Sequence, residues 1–223
     1  MSAIPPTIPP TTALADVLAL RGETGVLDRS RLHPIHAPTH AVAGGARTIR
    51  IEPGAGSLAA LYELLSGPLS DEVVMVAAAG LTGAIWGEIL STAARQGGAL
   101  AVVVDGPTRD HDAVVGSGLW AWGGPGQTVG PAGQAHVTGV DVPVAVGDVT
   151  IRPGDLVVLD GDGVVVLAPG SAALADAVAY AEAEEAVMAD LRAGVPLRDA
   201  YRHKARAVDH IRRSRPSDSA TAP

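Results

Sequence analysis

The sequence predicts a single mixed α/β domain, in which a partly parallel sheet continues into antiparallel hairpins and is followed by C-terminal helices. Three observations support this fold class. Residues 46–104 alternate between strand and helix patterns in the order β-α-β-α-β, which favours parallel strands joined by right-handed crossovers. Residues 136–167 contain short apolar runs separated by glycine-rich turns, which is typical of hairpins. From residue 172 onward, the pattern is helical.

The elements follow from periodicity, capping residues and Gly/Pro punctuation. In the first half, a helix at 13–20 capped by Thr12 precedes an irregular segment at 25–45. We then expect strands at 46–52, 72–78 and 100–104, with helices from Ser57 to residue 66 and at 84–95. In the second half, we expect a helix at 112–117, strands at 136–140, 142–146, 149–151, 156–160 and 164–167, and helices at 172–193 and from Pro196 to about residue 213.

The predicted domain covers residues 13–213. A Pro/Thr-rich segment at 1–12 is expected to be a flexible arm, since it lacks the basic and apolar regions of a signal peptide. Residues 214–223 are expected to form a disordered tail. The 223 residues are 47% hydrophobic and contain no Phe, so Ala, Val, Leu and Gly must fill the core.

Composition narrows the functional classes. A net charge of −8 argues against nucleic acid as a partner. Residues 198–215 are the exception, because seven Lys/Arg against two Asp give a local charge of +5. This stretch is read as a solvated helix face or as a binding surface. The absence of Cys excludes disulfides, zinc–thiolate sites and thiol nucleophiles, and it agrees with a cytoplasmic location. The apolar run at 73–90 is interrupted by three glycines and is not expected to span a membrane.

The strand at 100–104 ends in a glycine turn that delivers Arg109 and Asp110 side by side. A guanidinium and a carboxylate at the end of a buried strand can hold a substrate carboxylate and a divalent metal together. The structural alternatives are that Asp110 caps the following helix, and that Arg109 forms an ion pair with Asp105 or Asp110.

Three other patterns are weaker candidates for a site. His33, His36 and His40 have near-helical spacing, but the intervening prolines favour a loop. Asp160 and Asp162 resemble the opening of a calcium loop without its later ligands, so a hairpin turn is expected. The third pattern, Trp120 and Trp122, fits either a pocket entrance or a half-buried strand face.

Two segments carry a resemblance to a known family. WGEILSTAARQGGALAVVVDGPTRD (from Trp86) and VPVAVGDVTIRPGDLVVLDGDGVVVLAP (from Val142) resemble the 4-hydroxy-4-methyl-2-oxoglutarate aldolases and the "regulator of ribonuclease activity A"-like proteins. The helix start, the V-V-x-D-G-x-x-R-D turn and the P-G-D hairpin occur in the family's order. The match covers roughly residues 40–195.

This resemblance implies a swivelling β/β/α fold and a homotrimer or homohexamer. It also implies a class II, metal-dependent aldolase or oxaloacetate-type decarboxylase that uses Mg²⁺ or Mn²⁺ and acts on a small 2-oxo acid. One alternative is a non-catalytic ribonuclease-binding regulator. Another is a specialised aldol-type enzyme with a larger substrate, because WAWGGPGQTVGPAG at 120–133 replaces a segment in which many relatives carry an Arg.

The resemblance also assigns roles to residues. Asp110 would contact the metal and Arg109 would clamp the substrate carboxylate. Glu88 would act on a water or the substrate hydroxyl, or else only stabilise the helix dipole. The remaining implied site residues are Gly87, Ile89 and Leu90, through their backbone, and Glu185, supplied by a neighbouring subunit or else part of a solvated acidic face with Glu182 and Glu184.

Cleavage next to a ketone requires stabilisation of an enolate, either by a lysine Schiff base or by a metal. The chain has a single lysine, Lys204, in the basic C-terminal stretch. We expect that residue to lie on an exposed helix, which is a poor position for a Schiff base. The metal is therefore the favoured solution.

Overall fold

The structure is a computed structural model that describes residues 7–214. The described part contains seven helices and ten strands. In chain order they are α1 (Thr11–Arg21), β1 (His33–His36), β2 (Val42–Pro53), α2 (Ala59–Ser66), β3 (Val73–Ala77), α3 (Glu88–Gln96), β4 (Ala101–Asp105), α4 (His111–Gly116), β5 (Trp120–Gly123), β6 (Ala135–Val140), β7 (Val144–Val146), β8 (Val149–Ile151), β9 (Leu156–Leu159), β10 (Val164–Leu167), α5 (Ala172–Arg192), α6 (Leu197–Ala200) and α7 (Arg202–Arg213).

The central strands β2, β3 and β4 are parallel neighbours, as the β-α-β-α-β pattern predicts, and β5 adds a further parallel strand beside β4. Strands β3 and β4 are buried at every position, which explains their continuous apolar sequences. Parallel strands end at the same edge of a sheet, so the loops that follow β3, β4 and β5 emerge together. This edge carries the candidate site.

The long strand β2 joins two parts of one eight-stranded mixed sheet with the order β1-β5-β4-β3-β2-β9-β10 and β6 also on β2. Its first residues pair with β9 and its later residues with β3 and β6. The β9–β10 hairpin is antiparallel, and β7 and β8 form a separate two-stranded sheet. The chain is thus a mixed α/β domain with a curled sheet and C-terminal helices, which confirms the predicted fold class.

The core is divided among three buried clusters. One lies between the sheet and helices α2 to α4, and it includes Trp86. A second lies on the other sheet face under β7 and β8, and it includes Trp122. The third lies beneath α1, α5 and α7. Two tryptophans and many small aliphatic residues thus replace the missing phenylalanines.

Several predicted boundaries were wrong. The segment at 25–45 is not wholly irregular, because β1 pairs with β5 and β2 begins at residue 42. Helix α3 begins at Glu88 rather than residue 84, because residues 84–86 instead hydrogen-bond to neighbouring loops. The final helical run is two helices, α6 and α7. Residues 1–6 of the expected arm and 215–223 of the expected tail lie outside the described residues.

Helix α1 also begins earlier than predicted, at Thr11, so Thr12 lies within the helix and does not cap it. The cause is Asp160 in the β9–β10 turn. Its buried carboxylate accepts hydrogen bonds from the Thr11 amide at 2.9 Å and the Thr11 hydroxyl at 2.6 Å. The amides of Asp162 and Gly163 donate to the same carboxylate at 2.8 and 3.2 Å. The Asp-Gly-Asp-Gly segment is therefore a hairpin turn that fixes the start of α1.

We expect Asp160→Ala to lower the free energy of unfolding by about 2–4 kcal/mol, because it leaves several buried donors without an acceptor. Urea denaturation measures this change. Asp162→Ala is the matched control in the same turn, since Asp162 is exposed and should change stability by less than about 0.5 kcal/mol. Equal losses in the two variants would show that the carboxylate of Asp160 does not fix this junction.

Candidate functional site

The loops after β3, β4 and β5 continue the parallel arrangement beyond the sheet. The Arg109 amide donates to the Trp86 carbonyl at 2.9 Å, and the Ile85 amide donates to the Pro107 carbonyl at the same distance. On the other side, the Gln127 amide donates to the Thr108 carbonyl at 2.8 Å. Backbone hydrogen bonds on both sides thus fix the position of the Arg109–Asp110 turn.

The start of α3 is held against that turn by a close approach at Gly87. A β-carbon at this position would lie 2.6 Å from Oδ2 of Asp110 and 3.0 Å from Cγ of Arg109. No side chain fits there without displacing the Asp110 carboxylate. The buried indole of Trp86 donates to the Ser91 hydroxyl at 2.8 Å, which fixes the same helix start.

Asp110 has an unusual backbone conformation. Its φ of 56° and ψ of 39° place it in the left-handed region, which costs a non-glycine residue roughly 1–3 kcal/mol. It occupies the N-cap position of α4, yet its side chain makes no capping hydrogen bond there. Instead, Oδ2 points toward the start of α3, 3.4 Å from the Glu88 amide. The capping alternative therefore does not account for the carboxylate.

Arg109 and Asp110 form a partly solvated pair. Nε of Arg109 lies 3.3 Å from Oδ2 of Asp110, and both side chains are 42% exposed. Asp105, the other acid considered as a partner for Arg109, is buried and bonds to Arg31 at 3.0 and 3.1 Å. The guanidinium of Arg109 lies against the backbone at Gly130, where an added β-carbon would be 3.4 Å from Nη1. The Arg109 side chain nevertheless keeps 42% of its surface exposed and lines a cavity, so an anion can reach it.

These groups line one open cavity of about 450 Å³ between the loops, α2 and α3. The cavity brings together the predicted site residues on this side of the fold, namely Gly87, Glu88, Ile89, Leu90, Arg109 and Asp110. The amides at the start of α3 contribute the partial positive charge of a helix N-terminus. The cavity therefore has a polar end with one cation, two carboxylates and a helix start.

The comparisons with known proteins agree with this geometry. A family model described as RraA-like, Aldolase/RraA, matches residues 11–166. The chain belongs to the RraA-like family. A search of curated proteins finds no match.

Solved structures show the same fold. An uncharacterized protein from Pseudomonas syringae pv. tomato str. DC3000 is 26% identical with a TM-score of 0.74, over 86% of this chain and 92% of that one. RraAS2 from Streptomyces coelicolor, described as an unusual member of the RNase ES inhibitor RraA protein family, is 29% identical with a TM-score of 0.66, over 79% and 89%. The RNA-processing inhibitor RraA from Thermus thermophilis is 25% identical with a TM-score of 0.57, over 71% and 94%.

Glu185 does not join the other predicted site residues of this RraA-like chain. It lies on α5, where its side chain is 77% exposed and only 3.9 Å from Arg192. It does not line the cavity described above. Within one copy of the chain, the acidic-face alternative therefore describes Glu185 better.

Lys204 is less exposed than the sequence suggests. Its side chain is 20% exposed, and Nζ lies 2.6 Å from Oε1 of Glu184 and above the ring of Tyr180. Burial opposes the charged form, but the hydrogen bonds and charges of Glu184 and Tyr180 outweigh it and raise the pKa of Lys204. A lysine that stays protonated is unsuited to Schiff-base formation. Helix α7 has an exposed face, but Lys204 itself is mostly buried against α5, in a position unsuited to a Schiff base.

The remaining candidate patterns belong to the framework. His33 and His36 lie on strand β1 and not in the expected loop, and the rings of His36 and Trp120 are in contact with 4.3 Å between centroids and a tilt of 47°. Trp122 is buried and donates to the Asp160 carbonyl at 3.2 Å. Neither tryptophan lines the cavity, so the strand-face interpretation holds.

None of the helices between residues 7 and 214 is long and apolar enough to cross a membrane.

A metal ion at this site would rest on few protein ligands. Within residues 7–214, no group of three or more His, Asp or Glu side chains is arranged to hold a metal. Asp110 and the exposed Glu88 are the two carboxylates that line the cavity beside the helix start. This donor set fits Mg²⁺ or Mn²⁺, which are often held by one or two carboxylates and several waters. It does not fit zinc, which requires three or four protein ligands.

The sequence missed the residues that form the apolar wall of the cavity. Leu58, at the N-cap of α2, and Tyr62 and Leu65 within that helix line it. The helical spacing of leucines in this segment indicates a helix that packs on the sheet, which is also correct. No local signal distinguishes a core leucine from one at the cavity wall.

We expect Gly87→Ala to lower the free energy of unfolding by about 1–3 kcal/mol, because the added methyl group must displace Asp110 or α3. Denaturant unfolding measures this change. Gly116→Ala is the control, since an added β-carbon there meets no atom within 4 Å. If both variants had the same stability as the native chain, the close approach would not constrain Asp110.

Proposed function

We propose that this chain is a divalent-metal-dependent lyase that cleaves a carbon–carbon bond in a small 2-oxo acid, by retro-aldol cleavage or by β-decarboxylation. One observation carries the proposal. A guanidinium, a carboxylate held in a strained backbone conformation and a helix start converge at the polar end of one cavity. Strained residues of this kind concentrate at functional sites.

In this proposal, Arg109 binds the substrate carboxylate. Its planar guanidinium can donate two parallel hydrogen bonds, which fixes both the position and the plane of the carboxylate. The amides of Ile89 and Leu90 at the first turn of α3 face the same space and favour an anionic oxygen. The substrate head would thus lie between the α3 start and the Arg109–Asp110 turn.

Asp110 would hold Mg²⁺ or Mn²⁺, which supplies Lewis-acid stabilisation of the charge that develops on the keto oxygen. Glu88 is exposed at the cavity and can take the proton of the substrate hydroxyl, directly or through a water. In the retro-aldol reaction, the C3–C4 bond then breaks and its electron pair forms the enolate of pyruvate. Protonation at C3 completes the reaction.

Glu185 can take part in the proposed reaction only if several copies of the chain assemble. Because it lies outside the cavity of its own chain, it can act on substrate only in the site of a neighbouring copy. We infer a homotrimer or homohexamer in which the exposed face of α5 reaches such a site.

We expect the protein to release pyruvate from a 4-hydroxy-2-oxo acid or from oxaloacetate only with Mg²⁺ or Mn²⁺, and EDTA to abolish the release. Asp110→Asn should lower kcat/KM by about 100-fold or more, because it removes the charge while Asn still tolerates the left-handed conformation. A coupled lactate dehydrogenase assay measures pyruvate. Asp112→Asn is the control, with the same change at an exposed position in the first turn of α4. Unchanged activity in Asp110→Asn would refute the metal site.

A second function is favoured by the comparisons. Two solved structures of similar fold carry names that describe inhibition of RNA processing or of RNase ES. This chain also has a basic helix, α7, whose exposed residues include Arg206, Arg212 and Arg213. Such a surface suits an acidic partner.

Parallel assays of pyruvate release and of RNA cleavage distinguish between the two functions. We expect micromolar amounts of the protein to leave RNA cleavage by purified RNase ES unchanged, while the same preparation releases pyruvate. Inhibition of RNA cleavage without lyase activity on any 2-oxo acid would reverse this order. A triple Arg206, Arg212, Arg213→Gln variant would then identify whether α7 forms the contact.

A further inference from the structure

Part of the cavity wall is apolar. Its residues include Leu58, at the N-cap of α2, Tyr62 and Leu65 of α2 and Ala93 of α3, and these four residues form the α2–α3 groove. Leu65 is buried, whereas Tyr62 is 53% exposed. The groove is continuous with the polar end, since both line the same cavity. A ligand held by Arg109 can therefore also contact these apolar residues.

The charges of the cavity favour a ligand with a single carboxylate. Among the described residues that line it, Arg109 is the only cation, and the other charged side chains are Glu88 and Asp110. If Arg109 binds one carboxylate of a diacid, the second carboxylate meets no counter-charge among the side chains that one copy of the chain places around the cavity. A carboxylate against apolar walls loses hydration without a compensating partner, which is unfavourable.

The polar side chains of α2 at the cavity do not supply the missing counter-charge. The Ser66 hydroxyl donates to the Tyr62 carbonyl at 2.7 Å, within α2. The remaining polar group of α2 at the cavity is the Tyr62 phenol, a single neutral donor. An alkyl or aryl group makes favourable contact with the same walls, because it removes apolar surface from water.

We propose that the substrates of this site are 4-hydroxy-2-oxo acids with one carboxylate and an alkyl or aryl group on C4. This inference rests on the proposed function and specifies its substrate class. The cavity of about 450 Å³ is within the range of pockets that hold ligands larger than a small diacid. Arg109 binds the head and the α2–α3 groove binds the tail.

The reaction balances without a further reactant. A base removes the proton of the C4 hydroxyl, and the C3–C4 bond breaks as the C4 carbonyl forms. The electron pair passes to C3 as the enolate of pyruvate, and C3 takes up one proton. The products are pyruvate and an aldehyde or ketone that carries the apolar group.

Binding tests the substrate class independently of turnover. Calorimetry with Mg²⁺ present compares 2-oxo-4-methylpentanoate with 2-oxoglutarate, which share the 2-oxo acid head. We expect the branched acid to bind at least about tenfold more tightly than 2-oxoglutarate. Tyr62→Arg places a cation in the groove and should shift this ratio by about tenfold toward 2-oxoglutarate. Glu63→Gln is the control, because it changes the net charge equally at an exposed position of α2 that does not line the cavity.

Pyruvate release is then compared for 4-hydroxy-2-oxo acids that end in an isopropyl, a phenyl or a carboxylate group. Preference for the carboxylate in binding and cleavage would overturn the inference and leave the lyase proposal intact. If the branched acid still binds more tightly but no compound releases pyruvate, the lyase proposal is refuted and the inferred specificity of the groove is retained. If Tyr62→Arg altered the oligomeric state and not the binding ratio, a second copy would cover the groove, and the inference would fall.

Discussion

The contact between Gly87 and the carboxylate of Asp110 controls the geometry of the candidate site. Asp110 adopts a left-handed conformation, and its Oδ2 atom lies where a side chain at position 87 would otherwise be. The cost of this conformation is offset by the surrounding loop hydrogen bonds, which hold the turn between the loops after β3 and β5. As a consequence, a carboxylate, a guanidinium and the start of α3 lie close together in the same cavity.

The parallel sheet explains why these groups meet. Strands β3 and β4 are buried throughout, so their ends cannot shift without disturbing both sheet faces. Trp86 and Ser91 anchor the start of α3 in the same core that supports β4. The site is thus built from short loops on rigid elements, which favours precise placement of the side chains.

Much of this could be predicted from the sequence, because the decisive signals are local. Continuous Val runs identify β3 and β4, and the glycine turn after β4 places Arg109 and Asp110 at the sheet edge. The start of α3 at Glu88 could not be predicted from helical periodicity, because residues 84–86 make hydrogen bonds to distant loops. The role of Tyr62 in the cavity wall depends on how α2 packs beside α3, which no spacing within either helix encodes. The burial of Lys204 likewise arises from contacts between α7 and α5.

The electrostatic arrangement gives the site its chemical character. In the proposed reaction, Arg109 would bind the substrate head, and the half-exposed Asp110 carboxylate would hold a hydrated dication. The most direct test is a crystal structure of the protein grown with Mn²⁺ and oxalate, a mimic of the 2-oxo acid enolate. The account predicts an anomalous manganese peak beside the Asp110 carboxylate, with the oxalate between the metal and Arg109. A structure with no metal or oxalate at this site, in which Arg109 and Asp110 remain paired only with each other, would contradict the proposed metal site.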